Sequence, residues 1–182
     1  VIELEPACRG MAVLVAGVRE EQWGAATPCA GWSVGELVAH VREVARGFAE
    51  MAREASGGSG AEASGGPTSR WPGEAGRELG ELARAWRAPG AWQGRAGTAG
   101  VVLERAVWGR IVLTELVVHG WDLARATGQE VDLPEPTLRA CFDHVRVFVP
   151  RAPVPELWGP AVEVPAEAPL LERIVAVTGR QP

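Results

Sequence analysis

Ile111-Val-Leu-Thr-Glu115-Leu-Val-Val-His119-Gly-Trp-Asp-Leu-Ala124 is a strongly apolar run interrupted by a carboxylate, an imidazole and an aspartate. Its periodicity predicts the longest helix of the chain, about Val102 to Thr127, with Gly128 just past its end as a C-terminal stop. Glu115 and His119 are four residues apart, so on that helix they stack on one face. Burying an unpaired charge is expensive, and neither residue type usually enters an apolar helix without a partner.

A second histidine sits in a similar setting, Val34-Gly-Glu-Leu-Val-Ala-His40-Val41. The chain has only three histidines, and two of them lie in apolar helix-like runs. His40, Glu115 and His119 facing each other across a bundle would supply two neutral nitrogens and one charge. Such a set holds a divalent metal and leaves coordination positions open. The spacing also fits a purely structural arrangement. In it His40 bonds a backbone carbonyl at the core edge, Glu115 pairs with Arg110 or Arg146, and His119 closes a helix turn. Glu-x-x-x-His alone favours neither.

The other polar residues read more simply. His144 lies beside the apolar stripe of its helix, which predicts a solvated or helix-terminal role. Asp122 is placed either to orient the ring of His119 or as a surface carboxylate near Arg125. Trp32, Trp108 and Trp121 read as core or rim packing, with a pocket wall as the alternative. Cys141 reads as a small core residue.

Working outward, Leu4, Cys8, Met11, Val15 and Val18 predict an amphipathic helix within residues 3–20. Gly24 to Trp32 is a loop. Ser33-Val-Gly-Glu36 then has the form of a capping box opening a helix to about Glu54. Residues 56–69 are Gly- and Ser-rich and predict a flexible loop inside one domain, because two helices before them are too little to fold alone. Further helices are expected at Glu74–Arg87, Glu135–Val149 and Pro169–Val177. Pro89–Gly100 reads as irregular, the prolines from Pro150 to Pro165 predict an extended stretch, and its part Leu157-Trp158-Gly-Pro-Ala-Val-Glu-Val-Pro165 is a candidate cover for one end of the bundle. The expected fold is all-α, a four-helix bundle with short additional helices, formed by residues 1–182 as a single domain.

Composition narrows the function classes. The net charge of −5 argues against a general nucleic-acid binder. No apolar run is long enough to span a membrane. Val1-Ile-Glu-Leu-Glu5 does not read as a secretory signal. Cys8, Cys29 and Cys141 are odd in number and widely spaced, so free thiols in a reducing cytoplasm are expected, and the oligomeric state, a homodimer included, is left open.

Thr27-Pro-Cys-Ala-Gly-Trp32-Ser-Val-Gly-Glu-Leu-Val-Ala-His40, Glu115-Leu-Val-Val-His119-Gly-Trp-Asp-Leu-Ala-Arg-Ala-Thr-Gly128 and the tail Trp158-Gly-Pro-Ala-Val-Glu-Val-Pro165 with Thr178-Gly-Arg180 carry a resemblance. They resemble the DinB-like superfamily, in particular the metal-binding domain of mycothiol-dependent maleylpyruvate isomerases and its actinobacterial single-domain relatives. The resemblance implies an up-down-down-up bundle. It implies a divalent metal, commonly zinc, with nickel or another ion as alternatives, held by His40, Glu115 and His119. It also implies mycothiol or a similar low-molecular-weight thiol, activated by the metal to react with a small electrophile, in a transferase or isomerase. Those isomerases carry a second, C-terminal domain; the expectation for a chain ending at Pro182 is the first domain alone. The competing class is a non-catalytic metal-binding sensor or partner-binding module.

Overall fold

A computed structural model describes residues 2–55, 73–98, 100–152 and 158–182. Among them six helices form: α1 (Glu5–Ala16), α2 (Val34–Ala55), α3 (Gly73–Ala85), α4 (Arg105–Thr127), α5 (Glu135–Phe148) and α6 (Leu170–Val177). Short 3-10 turns occur at Glu20–Gln22, Pro89–Trp92 and Val149–Arg151. The fold is therefore mostly helical, as expected. The loop predicted at 56–69, and Pro153 and Pro155 of the tail, lie outside the described residues.

The capping box opens α2 as the sequence requires. Ser33 Oγ accepts from the Glu36 amide at 3.3 Å, and Glu36 Oε2 accepts from the Ser33 amide at 2.8 Å. The helix then buries Val34, Leu37, Val38, Val41, Ala45, Ala49 and Ala52, a stripe at helical spacing. Helix α1 packs against α3 and α4, and α2 packs against the same two. The order around the bundle is thus α1, α3, α2, α4. Helices α5 and α6 pack against each other and on the outer side of α4.

This layering explains the character of α4. Sixteen of its 23 residues are buried. A helix covered on nearly every face must be apolar nearly all round, so the polar groups it retains have to find partners inside. Gly128, with φ 71°, ends the helix in the left-handed cap that glycine favours.

One expectation is corrected at the start of this helix. Val102 to Glu104 are strand, not helix. They form β2 (Val101–Glu104), paired antiparallel with β1 (Arg95–Thr98), which lies in the segment Pro89–Gly100 expected to be irregular. Trp108 Nε1 donates to Ala96 O at 2.9 Å and ties the hairpin to α4. Arg105 donates to the Met51 carbonyl and ties the start of α4 to the end of α2. A Cβ at Gly109 would overlap the rings of Trp86 and Trp92, so the α4 backbone must be bare there.

A second correction concerns α5. Its buried stripe is Thr137, Cys141, His144 and Val145, so His144 faces inward and is not solvated. The polar side chains at 137 and 144 disguised that stripe in the sequence. No described helix is long and apolar enough to cross a membrane.

Candidate metal centre

Helix α2 brings His40 to the same side of the bundle as Glu115 and His119 of α4. Glu115 Oε2 lies 3.2 Å from His40 Nε2 and 3.2 Å from His119 Nε2. The donor atoms of all three residues lie within 4.8 Å of one another. Two donors sharing a tetrahedral cation at bond lengths near 2.1 Å stand roughly 3.4 Å apart. The three side chains therefore fit a metal ion in both donor chemistry and separation. Exposure falls from mouth to interior: 29% for the His40 side chain, 21% for Glu115, 10% for His119 and 0% for Asp122.

Behind this group lies a chain of oriented partners. His119 Nδ1 faces Asp122 Oδ2 at 3.0 Å. Arg180, from the turn after α6, donates from Nη2 to Asp122 Oδ2 at 2.9 Å and from Nε to Asp122 Oδ1 at 3.2 Å. A carboxylate on the far nitrogen fixes the ring and the tautomer of a metal-binding histidine. The alternative for Asp122, a surface group near Arg125, is excluded by its burial; Arg125 instead lies over Trp121. The structural alternatives for Glu115 also fail. Arg110 donates to the Ala106 carbonyl and Arg146 to Asp143.

The electrostatics follow from these contacts in the metal-free protein. Burial opposes ionisation of Glu115, yet hydrogen bonds from His119 and His40 hold its carboxyl down at about 2. Burial would push His119 down, but its bonds to Asp122 and Glu115 carry it up to about 9. Burial likewise opposes the charge on Asp122, and His119 and Arg180 outweigh it to lower that carboxyl.

The loop before α2 places Trp32 against the two histidines of the site. The Trp32 amide donates to the Cys29 carbonyl at 3.1 Å, around Gly31 with φ 82°. That positive φ is what a type II turn demands at its third residue. Thr27 Oγ1 clamps the turn by donating to the carbonyls of Trp32 at 2.9 Å and Cys29 at 3.2 Å. Trp32 is thereby held with its ring 4.7 Å from that of His40 and stacked over His119 at 6.0 Å. Trp32 is thus a half-buried rim residue packed against the core, as expected, with its ring beside both histidines. Trp108 and Trp121 are buried packing residues.

Cys29, on the same turn, forms a second group of donors with His119 and Asp122. A cation there would face the guanidinium that already holds both Asp122 oxygens, so the group with His40 and Glu115 is the better cation site. Burial pushes the Cys29 thiol up. All three cysteines are free, and buried Cys141 is a core residue whose thiol burial pushes up to about 12. His144 stands apart from the site, against Phe148.

Sequence reasoning brought His40, Glu115 and His119 to one place and missed Arg180. The turn Thr178-Gly179-Arg180 carried a helix-stop signal, but nothing local named Asp122 as the partner.

No solved structure matches the chain. Two proteins of Mycobacterium tuberculosis do: the uncharacterised protein Rv0738 of strain ATCC 25618 / H37Rv and the uncharacterised protein MT0763 of strain CDC 1551 / Oshkosh. Each is 32% identical over 180 residues, which is 93% of this chain and 91% of the relative. Residues 4–124, which include His40, Glu115 and His119, match the family described as mycothiol maleylpyruvate isomerase N-terminal domain. The chain belongs to that family.

Proposed function

We propose that His40, Glu115 and His119 bind one divalent metal, zinc in the first instance, and that the site takes a low-molecular-weight thiol of the mycothiol type for transfer to, or isomerisation of, a small electrophile. The observation that carries this reading is the convergence of three donors from α2 and α4 at separations suited to one ion. Two histidines and one carboxylate leave room in a tetrahedral or larger shell. A bound divalent cation favours the thiolate of an incoming thiol, which is the reactive form.

The chain's own residues do the rest. Asp122 accepts the Nδ1 proton of His119 and leaves the Nε2 lone pair for ligation. Glu115 brings one negative charge into a half-buried site. Trp32, held by the Thr27 clamp, screens one side from water and offers a flat apolar surface to a ligand. His40 and Glu115 are half-buried and less enclosed than His119, so a ligand approaches from their side.

Elemental analysis of purified wild type and His40→Ala tests the metal. The wild type should hold about one equivalent and the variant a small fraction of that. Cobalt substitution followed by a mycothiol-like thiol tests the open position, and a sulfur-to-metal charge-transfer band is expected. If millimolar thiol leaves the cobalt spectrum unchanged, the thiol reading falls and a non-catalytic metal-binding module remains.

A further inference from the structure

We infer that Arg180 is a positioning residue for the metal centre: through Asp122 it fixes the ring of His119, which makes the turn after α6 a working part of the site. The inference rests on the metal reading above.

The chain of constraint begins with a helix cap. The Arg180 amide donates to Val175 O at 3.0 Å and the Gly179 amide to Ala176 O at 3.1 Å. These are the paired bonds of a Schellman motif, with Gly179 at φ 86° in the left-handed position. The backbone of Gly179 also lies against Gly159, so closely that a Cβ there would run into it. The direction in which Arg180 leaves the helix is therefore set by backbone alone. Arg180 Nη1 donates back to Thr178 O at 3.1 Å, which steadies the guanidinium further.

What the guanidinium then does is geometric. Its Nε and Nη2 meet the two oxygens of Asp122 separately, a fork-on-fork arrangement that fixes the carboxylate plane. Asp122 Oδ2 also meets His119 Nδ1. Without Arg180 the fully buried carboxylate keeps one partner and regains rotation about its own bond. The ring of His119 then keeps its Nε2 contact with Glu115 and its ring contacts with Trp32 and His40, but loses the fixed Nδ1 anchor that sets its heading toward the metal position. Lysine cannot replace the function, because a point charge meets one oxygen and leaves the plane undefined.

The test is zinc affinity, measured by competition with a chromogenic chelator on the full chain. Arg180→Met should weaken zinc binding about 10- to 100-fold, the range for loss of a partner behind a metal-binding histidine. Arg180→Lys should recover only part of this, and millimolar guanidinium should restore more to Arg180→Met than to Arg180→Lys. In the zinc-loaded wild type the His119 Nδ1 proton should exchange slowly with solvent, and in Arg180→Lys it should exchange markedly faster. Equal zinc affinity in wild type and Arg180→Met overturns the inference. So does unchanged exchange of that proton in Arg180→Lys, which decides the matter if Arg180→Met does not fold. His40→Ala is the separating control. If it binds zinc as tightly as wild type, the metal reading itself has failed; if it loses zinc while Arg180→Met keeps it, only the positioning role has failed.

Discussion

His119 and His144 are equally buried, at 8% and 9% exposure, and are treated in opposite ways. His119 has a carboxylate at each ring nitrogen and is carried up to about 9. His144 stacks on Phe148 with ring centroids 4.7 Å apart, and its buried Nε2 has no hydrogen-bond partner among the described residues. Burial, aided by Arg110, pushes it down to about 4, so it stays neutral. Burial of a titratable group therefore does not mark a site in this molecule. A complete, oriented set of partners does, because each partner costs ordering and desolvation that a purely packed residue avoids.

The contrast should be widest in metal binding. His119→Ala should lower zinc affinity by about 100-fold or more, since it removes one ligand and the link to Asp122. His144→Ala should leave the metal content of the purified protein unchanged. Comparable loss in both variants would erase the distinction.

Stability of the metal-free protein should separate them next. His119→Leu strips a partner from Glu115 and from fully buried Asp122, and about 3 kcal/mol should be lost in urea unfolding at pH 7. His144→Leu removes an unpartnered polar atom from an apolar setting, so about 1 kcal/mol should be gained. A loss at both positions would mean that His144 is held by an interaction absent from the fold described.

The sign of the acid response sharpens the difference. The unfolded imidazole of His144 titrates near 6.5 and the folded one near 4, so the unfolded state binds more protons between these values. Its contribution is full above pH 6.5 and is lost as pH falls toward 4. Between pH 7 and 4.5 the wild type should lose about 2 kcal/mol more than His144→Leu. Parallel urea curves for the two proteins over that range would contradict this.

The smallest effect is expected where the sequence offered a false partner. Arg125 lies over Trp121 with its guanidinium carbon 5.6 Å from the ring centroid and does not touch Asp122. Arg125→Ala should cost under about 1 kcal/mol and leave zinc affinity within twofold.

What could be read from the sequence follows a physical line. Helices declare themselves through local periodicity and caps, so α2, α4 and α5 were legible to within a few residues, the Ser33–Glu36 box included. Glu115 and His119 share one helical face by spacing alone. The hairpin was not legible, because Arg-Ala-Gly-Thr at 95–98 has no alternation and Val101 to Leu103 read equally well as the start of a helix. His144 was misplaced because α5 is covered from two sides, by α4 and α6, and its inward arc is wider than its apolar stripe. Arg180 stands 58 residues from Asp122, and pairing over that distance leaves no local trace.

The order of helices around the bundle has a kinetic consequence. Helices α1 and α2 both rest on α3 and α4, which come later in the chain, so the first half has no finished partner when it emerges during synthesis. His40 meets Glu115 across a sequence separation of 75 residues. A chain that ends before α4 carries a single imidazole and no carboxylate opposite it. Closing so long a segment carries an entropic cost that is met before the contacts reward it, so the donor set is expected to assemble late in folding. Interactions absent from the transition state act mainly on the rate of unfolding. A cation bridging α2 and α4 would then behave as a clasp on the finished fold: it lengthens the lifetime of the native chain while leaving the speed of reaching it nearly untouched.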